Sequence, residues 1–169
     1  VFAALLSPAG RAADLFGRRR VFGVGLVLFA AASAGCAIAP HAGWLVAARV
    51  GQAVAAALLV PSSLALLLPA FPAHRRGTAV GIWGATGGIA AATGPALGGL
   101  LVESFGWRAV FLVNLPIVAL TLLVGLRVLA EARDRRSGLP DALSVLLLGS
   151  GVAAVSLGIV NAEGGRWAR

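Results

Sequence analysis

Arg49 and Gln52 stand three residues apart inside an apolar run, "LVAARVGQAVAAALLVPSS". A guanidinium in the middle of a membrane-spanning helix costs ~2.5–3.5 kcal/mol on insertion scales, so such a residue marks function by default. At 100° per residue, Arg49, Gln52, Ala56, Val60 and Ser63 fall within about 80° on one helix face. That strip offers a cation and a carboxamide, with small residues leaving room beside them and Pro61 able to kink the helix. The chemistry it suits is binding or relaying a proton or polar group within the membrane. The plainer alternative is that Arg49, five residues from Trp44, snorkels to the outer interface.

Two further constellations carry chemistry. In "GRAADLFGRRR", Gly10 to Arg20, Asp14 lies three residues after Arg11 and four before Arg18. If the stretch is helical, that spacing puts all three on one face as an ion-pair network, with Gly10 and Gly17 flanking it. The alternative is a solvated loop following the positive-inside rule. In "GGIAAATGPALGGLL", Gly84 and Gly88 are four apart, as are Gly94 and Gly98, and Pro95 and Gly99. Small residues at this spacing make a ridge for close helix contact, and Pro95 removes a backbone hydrogen bond and can bend the span. The alternative is generic helix packing.

Several function classes fall away. The chain has no lysine, so a Walker A phosphate loop is excluded. The glycine-rich run contains no GxGxxG and lies within an apolar span, which rules out a dinucleotide fold. His41 and His74 fall on opposite sides of the membrane and there is one cysteine, so no metal site is indicated and no intrachain disulfide can form. Cys36 reads as inert packing. No nucleophile–base pair stands out. The expectation is a protein that is not an enzyme and carries no cofactor.

The elements that must position these residues are membrane helices. Of the 169 residues, 59 % are hydrophobic and only 12 % charged, with a mean hydropathy of +0.94. Soluble domains carry about a quarter charged residues. Five spans are expected, at Val21–Pro40, Trp44–Pro69, Gly77–Val102, Ala109–Ala130 and Ala142–Val160, after the tail of an earlier one at Val1–Ala9. Each must be helical, since lipid satisfies no backbone group. One side then receives Gly10–Arg20, Ala70–Arg76 and Arg127–Asp141, with Arg11, Arg18, Arg19, Arg20, Arg75, Arg76, Arg127, Arg133, Arg135 and Arg136. The other receives Arg108, Arg166 and Arg169. This asymmetry puts the first side in the cytoplasm. The net charge of +8 therefore belongs to membrane loops and implies no nucleic-acid partner. With no methionine, a start inside an apolar run and no charged leader, the chain reads as an internal piece of a longer protein without a signal peptide.

Five stretches together resemble motifs of the major facilitator superfamily. Gly10, Asp14, Gly17 and Arg18-Arg19 are similar to the signature loop between its second and third helices, with Ala12 in place of the usual Leu and Leu15 in place of the frequent Arg. Arg49 and Gln52 match its fourth-helix motif, where Ala53 replaces a common Gly. Gly94-Pro95-Ala96-Leu97-Gly98-Gly99 resembles the fifth-helix motif of drug:proton antiporters, with Ala90 in place of its earlier Gly. "WRAVFLVNLP", Trp107 to Pro116, is similar to the entry of the sixth helix. The span after "EARDRRSGLPD", with Asp141 at its start and "NAEGGRW" beyond, resembles the extra central helix of the fourteen-helix EmrB/QacA type.

The resemblance implies an all-α, polytopic transmembrane bundle with the superfamily fold. Residues 1–169 would run from the end of helix 2 through helix 7, the N-terminal half only, with no separate soluble domain. It implies a proton-coupled multidrug efflux antiporter of the bacterial cell membrane, exporting hydrophobic or cationic small molecules by alternating access. Its partners would be drugs, protons, the lipid bilayer and the missing C-terminal half. Arg49 and Gln52 would serve transport and proton coupling, Gly10, Asp14, Gly17 and Arg18 a conformational latch, and Gly94, Pro95, Gly98 and Gly99 the bent antiporter-motif helix. A carrier for a metabolite or other non-drug substrate on the same fold is the alternative. A non-transporting membrane scaffold is a more distant rival, since it needs no arginine within the membrane.

Overall fold

The computed structural model describes residues 2–129, and all regular structure among them is helical. Six α-helices follow one another: α1 Phe2–Phe16, α2 Arg18–Ala37, α3 Ala42–Leu67, α4 Arg76–Phe105, α5 Ala109–Leu112 and α6 Asn114–Val128. Two short 3₁₀ turns, Leu68–Ala70 and Ala73–Arg75, join α3 to α4. Helices α2, α3 and α4 are long and apolar enough to cross a membrane, and α5 with α6 forms a shorter apolar helical stretch at Ala109–Gly125. Four of the five expected spans thus fall within a few residues of observed helices. The fifth, Ala142–Val160, lies outside the described residues.

The helix ends have identifiable causes. Gly17 has φ 102° and ψ 125°, a conformation open to glycine and strained for other residues, and it alone separates α1 from α2. The expected loop at Gly10–Arg20 is therefore mostly helix. Charge does not break a helix, and Arg11 to Phe16 contains nothing that would. The second forced glycine is Gly106, φ 78°, which ends α4. His41 caps α3, its Nδ1 accepting the Trp44 backbone N–H at 3.2 Å. Between α5 and α6, Pro116 has no N–H for the Leu112 carbonyl four residues back, and the ladder is interrupted at Val113.

The packing centres on α2, which lies against α3, α1 and α6. The α2–α3 seam is built from small residues. A Cβ on Gly25 would stand 3.0 Å from the Leu59 side chain, one on Gly51 3.3 Å from the Ala32 Cβ, and one on Gly35 3.6 Å from the Ala48 Cβ. Without a hydrophobic drive between helices in lipid, this close approach supplies the van der Waals contact that holds the pair. Cys36, Ala37 and Phe111 form the buried cluster at one end of the seam, with Leu45 and Ala48 against it. By contrast α4 buries only Ala79.

Candidate transport site

Above the Cys36 cluster the seam turns polar. Gln52 on α3 is only 6 % exposed, and Ser33 on α2 is fully buried. Gln52 Nε2 donates to Ser33 Oγ at 2.8 Å, and Asn114 Nδ2, from the first residue of α6, reaches the same hydroxyl at 3.4 Å. On its other side the Gln52 Oε1 accepts from Arg49 Nη1 at 3.4 Å and from the Cys36 thiol at 3.6 Å. Three helices thus meet on the Ser33 hydroxyl. Among the described residues no buried side-chain N or O atom lacks a partner. Satisfying every member is what makes such a network tolerable away from water.

The Arg49 guanidinium lies over the Phe111 ring, its Cζ 4.7 Å from the centroid. Arg49 remains exposed on its other side, and a cation–π contact of this kind is worth about 0.5–1 kcal/mol. The hydrogen bond to Gln52 directs the side chain along α3, away from Trp44. Phe111 in turn meets Trp107 edge-on, with centroids 6.1 Å apart and planes at 86°, and the Arg108 guanidinium covers Trp107 at 4.3 Å. Arg108 also donates to the Ala39 carbonyl just beyond α2 at 3.3 Å. Two aromatic rings are therefore held between two cations, and α5 is pinned to the end of α2.

Beside this network is a cavity of about 380 Å³, lined by Phe29, Arg49, Gln52, Ala56, Phe111 and Asn114. Its volume lies in the range of small-molecule sites, which run from about 300 to 1,000 Å³. It presents a guanidinium, two carboxamides and two aromatic faces. Such a set can bind an amphipathic ligand, donating hydrogen bonds at one end and stacking at the other. The expected strip on α3 divides here. Arg49, Gln52 and Ala56 line this cavity, while Ser63 accepts from Trp83 Nε1 of α4 at 3.2 Å.

The second predicted cluster is also assembled. Arg18 Nε donates to Asp14 Oδ1 at 2.9 Å, and Nη2 stands 2.8 Å from the same oxygen. Arg18 Nη1 donates onward to the Ala65 carbonyl of α3 at 3.2 Å. One side chain therefore braces the α1–α2 joint at Gly17 against the far end of α3. Gly10 lies opposite Pro61, where a Cβ would make ordinary contact at 3.7 Å.

The third is not brought to a partner. Gly94, Pro95, Gly98 and Gly99 lie on α4, and among the described residues nothing stands within 4 Å of a Cβ placed on any of the three glycines. Ser33 is a site residue that the sequence did not single out, and Phe111 and Asn114 were matched only to the entry of a sixth helix, with no site role. Phe111 and Asn114 lie three apart in "WRAVFLVNLP", a helical spacing next to a proline, and that was the available signal. Ser33, within "AAASAG", gives none.

The family model of the Major Facilitator Superfamily matches residues 1–162. The chain is 39 % identical over 160 residues to the Multidrug resistance protein Stp of Mycobacterium tuberculosis, covering 94 % of this chain and 30 % of that protein. It is 37 % identical over 163 residues to the Tetracenomycin C resistance and export protein of Streptomyces glaucescens, covering 96 % and 30 %. The chain thus spans under a third of the length of these two relatives. A crystal structure of the peptide transporter POT, a mutant in complex with sulfate, superposes with a TM-score of 0.65 at 20 % identity. That likeness covers 96 % of this chain and 37 % of that one, and concerns the fold alone.

Proposed function

Because the chain belongs to the major facilitator superfamily and its apolar helices make it multi-pass in the membrane, we propose that it supplies the end of the second helix through the seventh helix of a proton-coupled drug-efflux antiporter. The whole protein exports hydrophobic or cationic small molecules and takes up protons, alternating by rocking two halves about a central site. The half absent from this chain completes the cavity. Relatives named for multidrug resistance and for export of tetracenomycin C support the substrate class.

The observation that carries this reading is the seat of Arg49. A cation held inside a span by Gln52 and Phe111, next to a cavity of about 380 Å³, suits coupling and not mere anchoring. Arg49 and Gln52 take the coupling role. Asp14 and Arg18, set between Gly10 and Gly17, form the latch that favours one alternating state. Pro95 with Gly94, Gly98 and Gly99 shapes α4 for contact with the other half.

The test is drug-dependent proton efflux from acid-loaded inverted vesicles containing the full-length protein. Arg49→Ala abolishes it, and Arg49→Lys restores it in part at most, because lysine lacks the planar multi-donor fork. A wild-type protein that moves no protons with a broad panel of cationic and neutral drugs would overturn the antiporter reading in favour of a metabolite carrier.

A further inference from the structure

A second and larger hollow lies on the outside of the bundle, between α2 and α6. It has a volume of about 1010 Å³ and is lined by Arg19, Arg20, Gly23, Val24, Val27 and Leu122, ending near Ala31. Helical geometry puts Gly23, Val27 and Ala31 roughly 180° around α2 from Gly25, Ser33 and Cys36, so the groove backs onto the transport network without sharing a residue with it. Val24 and Val27 are 61 % and 56 % exposed. Nothing stands within 4 Å of a Cβ placed on Gly23, which leaves the groove open just below the two arginines.

We propose that this groove binds an anionic phospholipid of the leaflet that meets Arg19 and Arg20. From Arg20 to Ala31 the helix rises roughly 17 Å, about half the ~30 Å hydrocarbon core, which is the depth of one leaflet. The walls match an acyl chain, and the charged end lies where a headgroup must sit. An acyl chain gains little by leaving bulk lipid for an apolar groove, since lipid tails are as apolar as leucine. Selection therefore falls to the headgroup. Arg19 and Arg20, which already make contacts of their own, present guanidiniums whose fork geometry suits phosphate oxygens. Basic pockets between transmembrane helices recognise anionic headgroups in this way, and each arginine near an anionic surface changes affinity about fivefold.

The experiment uses the full-length protein in detergent, titrated with phosphatidylglycerol or phosphatidylcholine and read by native mass spectrometry. A photo-crosslinking residue at Val27 supplies a second readout. Phosphatidylglycerol binds saturably and phosphatidylcholine does not; inorganic phosphate fails to displace the lipid; Arg19→Gln/Arg20→Gln weakens phosphatidylglycerol binding about thirtyfold; and the crosslinker captures phospholipid. Equal binding of the two lipids, displacement by phosphate alone, full affinity in the double variant, or capture of another segment of the protein at Val27 each overturns the proposal.

Discussion

Gln52 Nε2 lies 2.8 Å from Ser33 Oγ, and this one bond between α3 and α2 decides which way the rest of the carboxamide faces. With its nitrogen committed to Ser33, Gln52 turns its oxygen to Arg49 and the Cys36 thiol. The amide works as an adaptor, taking a hydroxyl on one side and a cation on the other.

Gln52→Ala is expected to destabilise the protein by about 1–3 kcal/mol, because Ser33 is fully buried and loses its best partner. The double variant Ser33→Ala/Gln52→Leu recovers most of that stability, since apolar groups replace both partners, yet it does not recover transport. Unfolding in detergent and vesicle proton flux measure the two effects separately. A double variant as unstable as Gln52→Ala would mean that the orphaned Ser33 hydroxyl is not the source of the cost.

Glycines of the same type should behave oppositely on two helices. Gly25→Leu forces a side chain into Leu59 at the α2–α3 seam, and overpacking of this kind costs about 1–3 kcal/mol. Gly98→Leu meets nothing within 4 Å among the described residues, so it leaves membrane insertion and the packing of α1–α3 intact. In the full-length protein it still abolishes drug-dependent proton efflux if α4 must close against the other half. Normal transport by Gly98→Leu would reduce the α4 motif to filler.

Gly17→Ala is expected to cost about 1–3 kcal/mol, the usual range for a non-glycine residue held in a glycine-only conformation. Asp14→Asn should cost less in stability, under about 1 kcal/mol, because the Asp14–Arg18 pair is partly exposed. Its larger effect should be on the balance of alternating states. Accessibility of cavity-facing cysteines to a thiol reagent reads that balance, and unchanged accessibility in Asp14→Asn would count against a latch.

Orientation has its own test. A cysteine introduced at Gly43, beside the His41 cap of α3, should react only from outside the cell. One at Ser137, which lies outside the described residues, should react only from the cytoplasm. Reaction of both from one side would refute the arginine-based topology.

The spans were legible because the apolar runs are long and proline or glycine ends them, as at Pro40 and Gly106. The Asp14–Arg18 and Arg49–Gln52 contacts were legible because both are local, at spacings of four and three on a helix. Ser33 and Asn114 meet across 81 positions of sequence, and no periodicity encodes such a meeting. Nor does periodicity say what a ridge of glycines faces. The α2–α3 seam and the α4 stripe are equally small-residued, yet only one of them is packed among the described residues. Charge misled at Gly10–Arg20, where a polar composition read as a loop and the backbone stays helical up to the one glycine that must break it.

The seat of Arg49 also sets an order of events during synthesis. The ribosome delivers Arg49 about 60 residues before Phe111, an interval of roughly 3–12 s at 5–20 residues per second. Gln52 emerges almost with the arginine, and Ser33 and Cys36 are already made, so the nascent α2–α3 hairpin can hold the amide in place at once. Its cation has no aromatic cover until α5 arrives. For those seconds the hairpin carries a guanidinium half-dressed for the membrane, which makes it the segment of this chain that an insertase or chaperone has most reason to hold.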